Sequence, residues 1–449
     1  MSFVPHSEAD RREMLRTIGV SSEDELFADI PEKFRLKGPL DLPTALSEWE
    51  AVRTLQQLAA DSRHLTCFAG AGYYDHYVPA AVDHLIRRSE FYTAYTPYQA
   101  EVSQGTLQSI YEFQSMICEL MGLDVANASM YDGASAMAEA ALMARSVQRK
   151  REKIILSVTI HPHYRQVLDT YNLGLEIPVE VAPRTDRGIT DLDALKEMLD
   201  DQTAAVIIQT PNFYGLIEDL AAAATLVHDA GALLIAVVDP ISLAILNSPG
   251  ECGADIAVGE GQPLGNALSL GGPVLGLFAA RQDHIRHMPG RIVGMTEDVD
   301  GRRGFVLTLQ TREQHIRREK ATSNICTNQG LNALAATIYL STVGRQGLRE
   351  VAEASAQIAH HAYEQIVAIP GIEPLFPDAV FFREFAVKTG IPARDVIELG
   401  AERGLLPGVA LSRFPHIDVE EGLLIAFTEK RSREEVEQLL AVLTEASHA

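Results

Sequence analysis

Between about residues 106 and 280, short apolar runs alternate with longer stretches of helical periodicity. The strand candidates are 153–159, 204–209, 232–238, 255–258 and 274–279. The helix candidates between them are 106–121, 135–151, 163–171 and 220–230. This alternation predicts β-α-β units and a mostly parallel sheet that is covered on both faces. Ligands of such sheets bind at the carboxyl ends of the strands.

The segments on either side of this region have different patterns. Residues 1–60 are partly amphipathic and interrupted by prolines, which predicts an N-terminal helical arm. Residues 61–330 are predicted to form a large α/β domain, and residues 331–449 a small α+β domain. In the small domain, helices at 330–343 and 346–368 precede short elements, including a strand at 380–385. On architecture alone, the aspartate-aminotransferase layout of pyridoxal-phosphate enzymes is one option among several.

Charge and composition exclude several classes of function. The formal net charge of -23 argues against nucleic acid, because binding to phosphate backbones needs clustered Lys and Arg. No run of eighteen apolar residues is present, so no membrane span is expected. The N-terminus lacks the basic start and apolar run of a secretory signal. The four cysteines have no CxxC spacing, which indicates reduced thiols and a cytoplasmic protein.

Two segments carry features of a phosphate and pyridine site. Gly133–Ser135 precede a strong helix, where free N–H groups and the helix dipole suit a phosphate. An ordinary helix capped by Ser135 explains the same pattern. Asp239 follows the apolar run 232–238, where a carboxylate can keep a pyridine ring protonated. A strand-end Asp that turns the chain with Pro240 is the alternative.

The lysines of the chain are distributed unevenly. A pyridoxal enzyme needs a lysine for its Schiff base, and in this layout it lies shortly after the Asp. None of the eight lysines lies between residues 197 and 319. The glycine-rich turn 257–265 has Glu260 and Gln262 instead. A self-sufficient enzyme of this kind is therefore not expected, unless Lys320 serves from an unusual place.

Two further tracts are rich in functional groups. Six of the thirteen tyrosines fall between Tyr73 and Tyr98, within the tracts 68–79 and 91–108. They predict either a small polar pocket or a Tyr-rich subunit interface. The tract 310–327 has a basic island of Arg312, Arg317, Arg318 and Lys320. Residues 322–324 are expected to lead into the next helix, where hydroxyl and N–H groups can hold phosphate. From the residues alone, a charged helix face with an N-cap is the favoured interpretation.

These tracts resemble those of the glycine dehydrogenase (decarboxylating) family, the P-protein. The similarity is carried by residues 70–79, 95–108, 288–296 and 308–326, and it extends over about 60–445. In many organisms the family is one long polypeptide of two similar halves, and in others it is two chains. The present chain resembles the first half, the α subunit. The cofactor lysine of the family belongs to the second half, which agrees with the gap at 197–319.

The resemblance implies a reaction and partners. Glycine condenses with pyridoxal phosphate, its carboxylate leaves as CO2, and the aminomethyl group passes to the lipoyl arm of the H-protein. A second, β subunit carries the lysine that holds pyridoxal phosphate covalently, and this chain binds no cofactor covalently. The two chains are expected to form a heterotetramer without a metal. No nucleic acid or membrane is involved.

The resemblance also directs the choice of site residues. Contact with the partner's cofactor is expected from Thr322, Asn324 and Arg318. Substrate contacts are expected from Tyr95, Tyr98, Gln104, Gly105 and Thr106, and the mouth of a lipoyl channel from His76 and Tyr73. Asp239 and Gly133–Ser135 are interpreted as remnants of an ancestral site or as purely structural. The alternatives are a non-catalytic scaffold subunit and an independent enzyme that uses Lys320.

Overall fold

The computed structural model describes residues 5–92, 95–321, 323–415, 417, 419 and 421–448. The chain divides into two compact units, one ending at Arg63 and the other beginning at His64. The domain boundaries predicted at 60 and 330 stay predictions. Within the described residues, no helix combines the length and the apolar composition needed to cross a membrane.

The first unit consists of short helices without a core. Helix α1 spans Glu8–Ile18 and α2 spans Glu48–Ala60, with 3-10 turns at Glu23–Phe27 and Glu32–Phe34. Both helices begin with a serine capping box, and α1 ends at Gly19 with φ +91°. None of its described residues is buried. Helical propensity and the capping interactions within each helix therefore determine the structure of this unit.

The second unit contains the remaining described elements. Its strands are β1 Thr66–Cys67, β2 Val125–Ala126, β3 Lys153–Ser157, β4 Val179–Ala182, β5 Thr203–Thr210, β6 Leu233–Val238, β7 Ile256–Glu260, β8 Gly276–Ala280, β9 Ile292–Glu297, β10 Arg303–Thr308, β11 Glu373–Pro374, β12 Glu384–Lys388, β13 Leu405–Leu406, β14 Val409–Ala410 and β15 Gly422–Ala426. Its helices are α3 Ala80–Ile86, α4 Ser89–Tyr92, α5 Gln104–Met121, α6 Gly133–Gln148, α7 Pro162–Asn172, α8 Leu192–Met198, α9 Leu220–Asp229, α10 Gln314–Arg317, α11 Gly330–Ile366, α12 Ala393–Glu402 and α13 Arg433–Ser447.

A seven-stranded sheet forms the centre of this unit, in the order β2-β8-β7-β6-β5-β3-β4. All neighbouring pairs from β7 to β4 are parallel, and β8 runs antiparallel to both of its neighbours. Successive residues of β6 point to opposite faces, so Leu234 and Ala236 join one core and Leu233 and Ile235 join another. Helices cover both faces, which confirms the mostly parallel, doubly covered sheet.

The C-terminal part forms a four-stranded antiparallel sheet, ordered β11-β12-β15-β14. The strand predicted at 380–385 begins only at Glu384 and continues to Lys388. The strand begins later than predicted because the backbone of residues 380–382 forms hydrogen bonds outside the small sheet. Val380 O accepts from the N–H of Ile217, and the N–H of Phe382 donates to Gly215 O. This segment therefore joins the small sheet to the turn after β5.

The two predicted helices near residues 330–368 form one long element with an interruption. Gly344, with φ +62° and ψ -176°, breaks the helical geometry inside Gly330–Ile366. A left-handed φ is accessible to glycine without a side-chain penalty, which explains the break at this residue. The predicted gap at 344–345 is therefore confirmed.

Candidate functional site

Asp239 lies directly after β6, at the carboxyl end of the sheet. Its Oδ1 accepts from the Ile241 N–H at 3.0 Å, and its Oδ2 accepts from Arg383 Nη2 at 2.5 Å. Arg383 comes from the segment before β12, and its side chain is only 1% exposed. The predicted pyridine-facing carboxylate is therefore paired with a buried guanidinium of the same chain.

Arg383 is the centre of a buried polar cluster. Its Nη1 bonds to His76 Nε2, and its guanidinium carbon lies 3.7 Å from the centre of the Tyr74 ring. The other nitrogen of His76, Nδ1, lies 2.5 Å from Glu429 Oε2. Burial, and then the nearby Arg383, lower the pKa of His76. A neutral His76 accepts from Arg383 and donates to Glu429.

Helix α6 begins with two of its first three N–H groups, those of Gly133 and Ser135, bonded to side chains of the chain. Asp132 is the N-cap and accepts from the Ser135 N–H at 2.7 Å, while Ser135 Oγ accepts from the Asp132 N–H. The prediction that Ser135 caps the helix was wrong, because Ser135 sits one turn later as the reciprocal partner of the box. The Gly133 N–H donates to Glu260 Oε2 at 3.0 Å.

Glu260 ends β7 at the position where the sequence lacks a lysine. Its Oε1 accepts from the N–H groups of Gln262 and Leu275, each at 3.0 Å. Burial raises the pKa of Glu260 to about 8, against the lowering effect of its three backbone N–H bonds. Gly72 and Tyr74, which flank Tyr73, line the same cavity as Glu260, and burial, Glu260 and Asp132 raise the pKa of the Tyr73 phenol.

The space between Asp239 and Glu260 is too small for the cofactor that the fold implies. The cavity has a volume of about 40 Å³ and is lined by Tyr74, Tyr164 and Arg383, among other residues. A benzene-sized ring needs roughly 150 Å³. No lysine lines this cavity, and Lys320 is exposed on the 3-10 turn Arg318–Lys320. The residues present therefore do not fit pyridoxal phosphate, and the alternative based on Lys320 finds no support.

A second region lies where the aromatic tract meets strands β9 and β10. The Gln104 amide accepts from the Phe305 N–H and donates to Phe305 O, both at 2.9 Å. These two hydrogen bonds connect α5 to β10. The predicted contact of Gln104 with the substrate stays a prediction. Gly105 is exposed with open space beside it, and Thr106 is half-buried.

The exposed apolar side chains of the segments in this region are called the tyrosine face: Tyr95, Tyr98, Val102, Met295 and Ile316. Tyr95 is 85% exposed and Tyr98 is 51% exposed. The Tyr98 ring meets the His315 ring edge-on at 5.8 Å, and the Arg291 guanidinium carbon lies 5.8 Å from its centre. The folded chain therefore brings Tyr98 next to the basic tract, although the two are far apart in sequence.

The basic tract is partly structural. Arg312 is buried and donates to Met288 O and, at 2.6 Å, to Gly290 O. Arg312 therefore does not belong to a charged surface, which corrects the predicted island of four. Arg317, Arg318 and Lys320 are exposed. These three cations remain available to an anionic ligand or partner.

Residues 323–329 form a pinned loop and not the start of a helix. Arg291 Nη2 donates to Cys326 O at 2.6 Å, Asn328 Nδ2 to Ala128 O at 2.9 Å, and the Gln329 N–H to Ser129 Oγ. The prediction that residues 322–324 lead directly into the next helix was wrong, because these bonds hold the backbone away from helical geometry until Gly330. Asn324 is exposed, and Thr322 lies outside the described residues.

The predicted site residues thus form two groups. Tyr95, Tyr98 and Asn324 belong to the tyrosine face and its neighbouring loop, whereas Tyr73 lies by the start of α6. His76 is buried with both ring nitrogens bonded, so the structure gives it a place in the Arg383 cluster and no support as a channel residue. Sequence reasoning missed Arg383, although a charged residue inside an apolar run was a usable signal.

Glu139 on α6 is another residue that sequence reasoning missed. It is buried, and Ser323 of the pinned loop bonds to its carboxyl. Burial raises the pKa of Glu139 to about 7. Ser323 therefore links the pinned loop to the Glu139 carboxyl of α6.

We expect the stability contributed by Glu139 to depend on pH. Because its folded pKa lies above the unfolded value of 4.5, its contribution is fully present below that value and is lost as pH rises through about 7. Between pH 5 and pH 8 the loss is on the order of 2 kcal/mol. Urea unfolding of Glu139→Gln across this range measures the loss, with Glu364→Gln at an exposed position of α11 as control. Parallel pH profiles of wild type and Glu139→Gln would contradict the expectation.

Known proteins match the chain over nearly its full length. The family described as Glycine cleavage system P-protein matches residues 1–443. A protein of Carboxydothermus hydrogenoformans named "Probable glycine dehydrogenase (decarboxylating) subunit 1" is 56% identical over 446 residues, which is 99% of both chains. A protein of the same name from Moorella thermoacetica is 53% identical over 443 residues, again 99% of both.

Solved structures agree with this result. The chain is similar to a crystal structure of glycine decarboxylase (P-protein) of the glycine cleavage system, with a TM-score of 0.91, 44% identity and coverage of 99% of this chain and 100% of that one. A glutamate decarboxylase of Lactobacillus brevis gives a TM-score of 0.68 at 15% identity over 93% and 96% of the chains, which concerns the fold alone. The predicted aspartate-aminotransferase-like fold is confirmed. The chain therefore belongs to the glycine cleavage system P-protein family.

Proposed function

We propose that this chain is the lysine-less subunit of a two-subunit glycine decarboxylase and acts together with a lysine-bearing partner. The observation that carries the proposal is the small cavity beside Asp239, which no lysine lines. Relatives that match it from end to end are named as a subunit 1. The coenzyme lysine is therefore expected on a second chain.

When bound by the partner, pyridoxal phosphate supplies an electron sink for the loss of CO2 from glycine. This chain contributes the opposite wall of that site. Arg318 and Asn324 offer a guanidinium and an amide, which are donors that suit a phosphate. Thr322, between them in sequence, would add a hydroxyl. The pinning of residues 323–329 holds Asn324 in place before the partner arrives.

The tyrosine face is the proposed contact with glycine and with the partner. Tyr95 and Tyr98 present rings and hydroxyl groups from the surface, where apolar clusters of this kind mark interaction sites. Tyrosine covers apolar area and also offers a hydrogen bond, so it suits a boundary between two subunits and a small polar substrate. Gly105 leaves open space at the start of α5 for a close approach.

The transfer of the aminomethyl group to the lipoyl arm of an H-protein completes the proposal. Tyr73 is partly exposed and follows the turn at Gly72, next to the start of α6. It is the remaining candidate for a wall of the lipoyl path in this chain, since His76 is enclosed by Arg383 and Glu429. The chain is expected to act in the cytoplasm.

A second candidate function is a scaffold that only stabilises the partner. The exposed, largely apolar character of the tyrosine face favours it, because an interface needs no chemistry beyond burial. A scaffold contributes affinity, and the two functions therefore differ in whether turnover changes once the pair has formed.

Replacing Tyr95 by Ala is expected to lower glycine-dependent CO2 exchange of the reconstituted pair by about tenfold, the effect of removing one well-formed hydrogen bond from the transition state. Assembly of the two chains, measured by size-exclusion chromatography, is expected to persist. Asn324→Ala should behave alike. Leu173→Ala is the matched control, because Leu173 is 84% exposed and lies at the end of α7.

The outcomes separate the two functions. Normal turnover by the assembled Tyr95→Ala and Asn324→Ala pairs, with weaker association, would favour the scaffold. Each chain is also assayed alone and in the mixture with H-protein. Exchange by this chain without its partner would overturn the proposed division of work.

A further inference from the structure

The cavity beside Asp239 has the outline of a coenzyme site. Asp239 follows a central parallel strand, and Gly133 opens a helix at the same end of the sheet. His161 begins α7 and stacks on Tyr164 at 5.1 Å between ring centres. A carboxylate for a ring nitrogen and a helix start for a phosphate are thus both present.

The space beside Asp239, where the ring of a coenzyme would bind, already contains a cationic side chain of this protein. The Arg383 guanidinium bonds to Asp239 at 2.5 Å and lies over the Tyr74 ring at 3.7 Å. Its other side is held by His76, which Glu429 orients in turn. A planar cation therefore occupies the space over an aromatic ring and opposite the carboxylate, where a protonated pyridine would have to lie.

The phosphate end is filled in the same way. Glu260 accepts the Gly133 N–H at 3.0 Å, and Asp132 accepts the Ser135 N–H at 2.7 Å. A methyl group at Gly133 would lie 2.2 Å from Tyr164 Oη and 2.9 Å from the Glu260 nitrogen. Tyr164 and Glu260 therefore close the space beside Gly133 at the helix start.

We propose that Arg383 and Glu260 permanently fill the coenzyme pocket of this subunit, Arg383 in place of the pyridine ring beside Asp239 and Glu260 in place of the phosphate at the start of α6. The loss of the lysine is then only one part of a rebuilt site. The subunit therefore also excludes non-covalent binding of the coenzyme, and it folds without a bound coenzyme.

The remaining volume supports this assignment. About 40 Å³ is left beside the two side chains, whereas a six-membered ring alone needs roughly 150 Å³. Removing the Arg383 and Glu260 side chains would restore space at both ends together. The two residues are far apart in sequence and lie on β7 and before β12, so each closes its own end independently.

The test measures binding of pyridoxamine 5′-phosphate to the full-length chain by equilibrium dialysis. This probe has the ring and the phosphate but no aldehyde, so it does not attach to surface lysines. The wild-type chain is expected to show no saturable binding. The double variant Glu260→Ala/Arg383→Ala is expected to gain one saturable site per chain. Saturable binding by the wild type would overturn the proposal.

Two further arms keep the test decisive. If the double variant does not fold, Glu260→Ala alone is titrated with inorganic phosphate, because it frees the Gly133 N–H and leaves the Arg383 cluster intact. Glu218→Ala is the matched control, since Glu218 is a buried carboxyl that accepts a backbone N–H from Thr190. A folded Glu260→Ala chain that binds no more phosphate than Glu218→Ala would overturn the role of Glu260. These readouts need no partner, so they are independent of turnover by the pair.

Discussion

Replacing Arg383 by Met is expected to lower the free energy of unfolding by about 3–5 kcal/mol. Methionine keeps the apolar stem of the side chain, but it leaves the half-buried Asp239 without its cation and His76 without its donor. An uncompensated charge in the interior costs far more than the loss of an exposed ion pair. Chemical denaturation of the full chain at neutral pH measures the change.

Two controls make this result specific to the buried pair. Arg394→Met removes an exposed arginine that bonds Glu398 one turn away, and it is expected to cost about 0.5 kcal/mol or less. The combination Arg383→Met with Asp239→Asn removes both partners and should recover part of the loss. A loss below about 1 kcal/mol for Arg383→Met would contradict a tightly bonded cluster.

The second large effect is expected at Arg312. Replacing Arg312 by Met should cost about 3 kcal/mol, because two charge-assisted bonds to Met288 O and Gly290 O disappear and both carbonyls stay buried. The neighbouring Glu313 also loses a nearby cation. Unfolding in urea gives the stability change, and CO2 exchange by the reconstituted pair gives the effect on function.

Arg317→Met is the matched control for Arg312, since Arg317 is exposed and five residues further along the same tract. Its expected effect on stability is within about 0.5 kcal/mol. We expect turnover to fall in Arg312→Met, because the segment that carries His315, the ring partner of Tyr98, loses the bonds of Arg312 to Met288 and Gly290. Equal stability of the two variants would show that Arg312 is not held as described.

The sheet was predictable because its physical signal is local. The β6 run from Leu233 to Val238 is apolar at every position, as burial on both faces requires. Helix α9 begins at the N-cap Asp219, and α5 ends at Gly122. Elements that depend on distant partners were predicted less well. The strand at 380–385 begins late because Phe382 bonds the turn at Gly215, and no local pattern carries that contact.

The candidate site shows the same limit. The missing lysine and the position of Asp239 are visible in the sequence, since both depend only on which residue type follows each predicted strand. That Arg383 reaches Asp239 across 144 residues is not visible, because pairing of buried charges depends on the packed fold. The pinned loop before Gly330 was mistaken for a helix start, because its bonds to Ala128 and Ser129 come from a distant segment.

The short parallel pair of β1 and β13 has a consequence for biosynthesis. Thr66 and Phe68 bond to Gly404 and Leu406, and the Phe68 carbonyl accepts from Ala426. During translation, β1 therefore has no pairing partner until residues more than 330 positions later have been synthesised. Contacts so far apart form late and slowly. A nascent chain still attached to the ribosome keeps Phe68 uncovered, and chaperones have that interval in which to bind it.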